Sequence, residues 1–239
     1  MAFIRKGRRS AAIATIVVLV GAAGAATSVL ANGVGKGEGN VGASLKAWGS
    51  DADGQLGDGA PVTSESRSPV AVSAITCATS VAVSDLDSFA VLGSGTVEAW
   101  GADEDNRSGS FGDEGKYSPY STTPVTVPGI TTAVSVTADT PDVFVLLANG
   151  TIVGWGNDER TEFGNGFDAS GGSNVPVAIG KGLSGVKALA AEANAATLAL
   201  LDDGEVDSWE DELASPNETD ALGREVFGKE STEQEPRPV

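Results

Sequence analysis

The stretch Ser88-Phe89-Ala90-Val91-Leu92-Gly93-Ser94-Gly95-Thr96-Val97-Glu98-Ala99-Trp100-Gly101 decides how this chain of 239 residues is read. An apolar run of strand length, Phe89 to Leu92, enters the small dipeptide Ser94-Gly95, whose glycine can supply the positive φ of a tight hairpin turn. A second strand then leads to Trp100 and another glycine. The same order returns downstream as Phe144 to Leu147, Asn149-Gly150 and Trp155-Gly156, and again as Leu198 to Leu201, Asp203-Gly204 and Trp209. With Trp48-Gly49 ahead of them, the four tryptophans are separated by 52, 55 and 54 residues. Leu45, Val97, Ile152 and Val206 each stand three positions before a Trp.

Working outward, Val81-Ala82-Val83, Val134-Ser135-Val136 and Leu189-Ala190-Ala191 supply a further strand per unit, although the alanines of the last would equally suit a helix. Pro69, Pro124 and Pro176 are read as opening the first strand of each unit, where an edge strand can spare an N–H. Apolar runs such as Leu198-Ala199-Leu200-Leu201 are read as strands buried on both faces. The one insertion falls between Trp100 and Phe111, on a loop, as it should in a repeat array. Four strands per unit of about 54 residues describe a propeller blade. The expected fold is all-β, a partial propeller of about three four-stranded blades over residues 41–211, preceded by an N-terminal apolar helix. In it the indoles fill the space between sheets, and Gly49, Gly101 and Gly156 allow close backbone passage. A β-sandwich with coincidental spacing is the plainer alternative.

The first unit, Trp48-Gly49, Gly54-Gln55-Leu56-Gly57-Asp58-Gly59, Ser68-Pro69-Val70, Ser88-Phe89-Ala90-Val91 and Gly95-Thr96-Val97-Glu98-Ala99-Trp100-Gly101, resembles the repeat of the regulator of chromosome condensation family. That resemblance implies a seven-bladed propeller and, among known activities, guanine-nucleotide exchange or protein binding. The chain departs from the family pattern in several places. The family's Gly and His before the apolar strand are Ser84 and Asp87, then Asp139 and Asp142, then Ala193 and Ala196. The Gly-Gln-Leu-Gly loop decays to Ser108-Gly109-Ser110-Phe111-Gly112 and Thr161-Glu162-Phe163-Gly164, and Glu210 follows the last Trp. Three complete units leave sheet faces uncovered. An arc within a larger assembly, a homodimer that closes a ring, and a remnant of a longer gene are all compatible with that count.

Arg5, Lys6, Arg8 and Arg9 precede the uncharged stretch Ala11 to Ala31, which ends in the small-residue site Val29-Leu30-Ala31. Residues 1–31 therefore read as a secretory signal peptide or, uncleaved, as a membrane anchor. Either way the rest of the chain is extracytoplasmic. Residues 32–40 read as a flexible Gly-rich linker and 212–239 as an acidic tail without fixed structure.

Composition removes much chemistry. The chain has no His, so Ser-His-Asp and Cys-His nucleophile systems and His-ligated zinc sites are impossible. One cysteine, Cys77, rules out internal disulfides and thiolate clusters. With 15 Lys+Arg against 33 Asp+Glu the net charge is −18, which opposes nucleic acid. Cleavage after Ala31 would remove four basic residues and no acidic one, taking it to −22. Paired carboxylates remain as acid–base candidates for glycan cleavage, namely Asp51, Asp53 and Asp58 or Asp103, Glu104 and Asp105, although turn formation explains them equally. The string Asp51-Ala52-Asp53-Gly54 lacks the further ligands of a calcium loop.

No catalytic, cofactor or metal site is assigned. The candidate contact surface is the longer loop Asp103 to Tyr120, with Tyr117 and Tyr120. The expected function is an exported, non-catalytic module that binds a protein or cell-envelope ligand or another copy of itself. A secreted carboxylate-dependent glycan hydrolase is the alternative, and an exchange factor the distant third.

Overall fold

The computed structural model describes residues 16–20, 44–84, 86–103, 111–112, 120–139, 142–156, 172–180, 183–191, 197–209 and 237–238. They form four sheets in chain order. The first contains β1 (Ile16–Val20), β2 (Ser44–Ser50) and β3 (Glu65–Thr76). The second contains β4 (Ala78–Val83), β5 (Asp87–Leu92), β6 (Val97–Ala102) and β7 (Tyr120–Thr126). The third runs β8 (Ala133–Asp139), β9 (Asp142–Leu147), β10 (Ile152–Gly156) and β11 (Ser173–Ile179). The fourth runs β12 (Val186–Ala190), β13 (Thr197–Leu201), β14 (Val206–Trp209) and β15 (Arg237–Pro238). Each four-stranded sheet is an antiparallel meander, the form of a propeller blade.

Every anticipated strand of the repeats is present, including the Ala-rich β12, but the sheets divide the chain one strand later than the sequence units do. The Pro-bearing strand does not open the sheet that follows it. It hairpins back onto the Trp strand before it, β3 on β2, β7 on β6 and β11 on β10. Proximity explains this, because strands joined by a single loop pair more readily than strands that must cross to the next sheet. Pro69, Pro124 and Pro176 lie at one recurrent irregularity. Between the pairs Ala47↔Val70 and Gly49↔Ser66, Trp48 faces residues 67–69. Trp100 faces 122–124 between Ala99↔Val125 and Gly101↔Ser121, and Trp155 faces 174–176 between Gly154↔Val177 and Gly156↔Ser173. A proline costs no ladder hydrogen bond in such a bulge.

The turns behave as their residues dictate. Gly95, Gly150 and Gly204 have φ of +85°, +77° and +93°. Their N–H groups donate to Leu92, Leu147 and Leu201 at 2.9, 2.9 and 3.1 Å, closing three-residue hairpin loops. In the first unit the departure from the family pattern is absorbed locally: Ser84 Oγ lies 3.2 Å from an Asp87 carboxylate oxygen, which it reaches as donor, and Ser84 N–H donates to the Asp87 carbonyl.

Three apolar cores lie between successive sheets. Leu45, Ala47, Val72 and Ile75 of the first sheet pack with Val81, Val83, Ala90 and Trp100 of the second. Phe89, Val91, Val97 and Ala99 pack with Val136, Val143, Val145 and Trp155 of the third. The last core is smaller: Phe144, Leu146, Ile152 and Ile179 with Val186 and Ala199. β5 and β9 are thereby buried on both faces, as expected. β13 is not, for Leu200 is exposed. No further sheet stands beyond the fourth among the described residues, so only the Thr197 and Ala199 face is covered.

Two terminal expectations change. The described part of the apolar stretch 11–31 is the strand β1, not a helix, since four of its five residues are β-branched and β2 offers it an edge. Among the described residues no helix is long and apolar enough to cross a membrane. Within the tail read as unstructured, Arg237–Pro238 form β15 against Asp207 and Ser208. The linker 32–40 and tail residues 212–236 lie outside the described residues.

Candidate functional site

The β2–β3 connection, residues 51–64, is the built feature that the repeat places on the surface. It begins three residues after Trp48 with Asp51, which is 3% exposed. One carboxylate oxygen accepts from Leu56 N–H at 3.2 Å and the other from the Thr63 hydroxyl at 3.2 Å. The backbone closes the same loop, Thr63 N–H donating to the Asp51 carbonyl at 3.1 Å and Asp51 N–H to Ser64 at 3.3 Å. Burial raises the Asp51 pKa, and the two donors and the Thr63 N–H pull it back, while nearby Asp58 adds to the rise.

From this anchor the loop reaches the next sheet. The carbonyl of Gln55 accepts from the Trp100 indole N–H at 2.8 Å and from the Ser88 hydroxyl at 2.9 Å. Gly57 lies flat against the indole, where a Cβ would come within 2.5 Å of Nε1. Gly59 N–H donates to Thr122 of β7 at 2.8 Å. Gln55 and Leu56 are fully buried beneath. Phe111 and Gly112 repeat the arrangement over Trp155, with a Gly112 Cβ 3.4 Å from the ring. Each loop thus caps the Trp of the following blade, and both Trp100 and Trp155 are 0% exposed. Trp155 also meets Phe89 edge-on, their centroids 6.4 Å apart. Trp48, for which no earlier loop is described, stays partly exposed, and Trp209 holds the equivalent backbone position at the end of β14. The glycines after the tryptophans, Gly49, Gly101 and Gly156, have φ of +112°, +107° and +131°. A Cβ on Gly101 would lie 2.3 Å from the Leu86 carbonyl oxygen.

Among the described candidate carboxylates, Asp51 and Asp58 are near enough to interact, but both are bonded within their own loop. Asp51 spends both oxygens inside its loop, Asp58 caps the N–H of Ala60 at 2.8 Å, and Asp53 N–H is bound by the Gln55 side chain at 2.9 Å. Asp103, three residues after Trp100 as Asp51 is after Trp48, is likewise buried. Among the described residues no group of three or more acidic or thiol side chains is placed to hold a metal ion. Tyr120 opens β7 opposite Ala102 and is 43% exposed, whereas Tyr117, Glu104 and Asp105 lie outside the described residues. Cys77 is a free, partly exposed thiol at the β3–β4 junction.

Sequence reading missed the serines that set the bulge. Ser66, Ser121 and Ser173 lie opposite the glycine after each Trp, and each hydroxyl donates to the carbonyl two residues on, at 2.9, 2.6 and 2.6 Å. A serine three residues before each proline was the available signal.

No protein-family model and no curated protein matches the sequence. Solved structures do match the fold. Human WBSCR16 superposes with a TM-score of 0.54 at 21% identity, over 79% of this chain and 45% of that one. The yeast RCC1 protein Prp20, solved with Kap60 bound to it, gives 0.57 at 18% identity over 79% and 43%. Prp20p from Saccharomyces cerevisiae, whose binding to Gsp1p and histones was studied, gives 0.55 at 19% over 78% and 44%. The chain spans less than half the length of these structures. Sheet order and superposition agree that this chain is folded as RCC1-type propeller blades.

Proposed function

We propose that the protein is an exported, non-catalytic binding module whose blades present acidic loops to a protein or cell-envelope partner. The supporting observation is the 51–64 loop, tied to its own sheet through Asp51 and to the next through Gln55 and Gly59. Asp53 and Asp58 stand partly exposed on this fixed loop, so their negative charge is presented without a conformational cost on binding, while the neighbouring Glu65 is paired with Arg67 at 2.6 Å. A net charge of −18 favours basic partners and disfavours nucleic acid. Export follows from the basic and apolar pattern of residues 1–31. Of the carboxylates considered for glycan cleavage, Asp51 and Asp58 bond within their own loop, which favours the binding reading.

The test is retention of envelope components and of basic proteins on the immobilised chain, at low and high salt. Salt-sensitive retention that is lost in Asp53→Asn/Asp58→Asn, with the melting temperature held, supports the reading. Turnover of a polysaccharide that disappears in Asp51→Asn or Asp103→Asn would overturn it in favour of a hydrolase.

A further inference from the structure

The Trp strands of the second, third and fourth sheets are paired on both edges, β6 by β5 and β7, β10 by β9 and β11, and β14 by β13 and β15. In each case the strand on one side is an antiparallel apolar strand joined by a tight turn. β2 differs. One edge carries β3, and the edge where an apolar hairpin partner belongs is occupied by β1, in parallel, with Ile16 opposite Leu45 through Val20 opposite Gly49. That edge adjoins buried side chains, Leu45 and Ala47. An unpaired strand edge beside an apolar core is a template for any extended segment that can bury itself there. Ile16-Val17-Val18-Leu19-Val20 meets the requirement, with no charge and four β-branched residues, and β1 also runs beside β4 of the second sheet.

We infer that the edge of β2 opposite β3 is a strand-accepting site and that the chain's own segment Ile16–Val20 is its occupant before export. The leader is then a strap over the first sheet as well as an address. Only the timing rests on the export reading: cleavage after Ala31 lifts the strap and leaves the edge open to an extended, uncharged, β-branched segment of a partner. The strap itself is a property of the uncleaved chain.

Hydrogen exchange on that full chain tests it. Neighbouring residues of a strand donate to opposite sides, so Val17→Pro/Val18→Pro removes a donor facing β2 whichever way β1 is turned. Of the amides of Lys46 to Gly49, those that face β1 should then exchange roughly tenfold faster or more, while those that face β3 and those of β6 keep their protection. A synthetic peptide of residues 14–22 added to the variant should restore the β2 protection in trans. Unchanged exchange at β2 with β6 protected, or a peptide without effect, overturns the inference. Should the double proline also unprotect β6, Val17→Gly/Val18→Gly decides in its place, because it weakens the strand without removing a donor. The readout needs no binding partner, so its failure is distinct from a failure of salt-sensitive retention.

Discussion

The contact between the second and third sheets and the contact between the third and fourth are built from the same repeat, yet they are not equally deep. In the first, Phe89, Phe111 and Trp155 are sealed, and the β5–β6 turn is locked against the incoming chain, with Ala133 N–H donating to the Gly95 carbonyl at 2.9 Å. The second is made by Phe144, Leu146, Ile152, Ile179, Val186 and Ala199, without an aromatic from the fourth sheet in its described core. The β9–β10 turn still locks, Val186 N–H donating to Gly150 at 3.1 Å, but beyond it no described residue other than its chain neighbours comes within 4 Å of where a Gly204 Cβ would be. A glycine can therefore persist in the pattern for two different reasons. At Gly95 both backbone and neighbour demand it, and at Gly204 only the backbone does.

The largest test of this contrast uses the indoles. Trp155→Ala should cost about 3–5 kcal/mol in urea denaturation, as full burial of a large side chain implies. Trp48→Ala, at a partly exposed ring, should cost clearly less, and equal losses would break the comparison. Next come the turns. Gly95→Ala forces a Cβ to 2.3 Å from the Thr131 carbonyl at positive φ and should cost about 2–4 kcal/mol. Gly204→Ala carries the backbone strain alone, about 1–2 kcal/mol. Thermal unfolding of the pair would expose any hidden contact at Gly204. Ser121→Ala removes the hydroxyl that bonds Thr123 in the bulge and should cost about 0.5–1.5 kcal/mol, sharpening how much the bulge, rather than the core, defines a blade.

The smallest effect concerns pH. Burial raises the Asp51 pKa above its usual value in the folded state, so the folded chain binds that proton more tightly than the unfolded one. The associated stability is present below the ordinary carboxylate pKa and is lost as pH rises through the raised one. Asp51→Asn should therefore flatten the wild-type gain in stability on mild acidification, by a fraction of a kcal/mol. Denaturation midpoints across that acidic window check it, and a wild type that loses more stability there than the variant contradicts the sign.

Much of this was legible beforehand because it is local. Positive φ at Gly95, Gly150 and Gly204 follows from which residues tolerate that conformation, and double-sided burial of β5 follows from four apolar residues in succession. The candidate site was half legible. Gln55 and Gly57 stood in the motif, but the acceptor of the indole proton is a backbone carbonyl, which leaves no mark on residue identity. The serines of the bulge were overlooked because a hydroxyl near a proline is ordinary in any loop. Asp51 looked like chemistry until its oxygens were seen to be bound by Leu56 and Thr63.

The sequence by itself determined the strands, their turns, the fifty-odd-residue pitch and the absence of imidazole and disulfide chemistry, since each depends on a residue and its immediate neighbours. Only the tertiary structure decided which sheet owns the proline strand, why Leu200 is left outside, and that Ile16–Val20 lies as a strand along β2. Those outcomes depend on pairing between segments distant in the chain. An apolar strand carries the same pattern of side chains whichever neighbour its backbone joins.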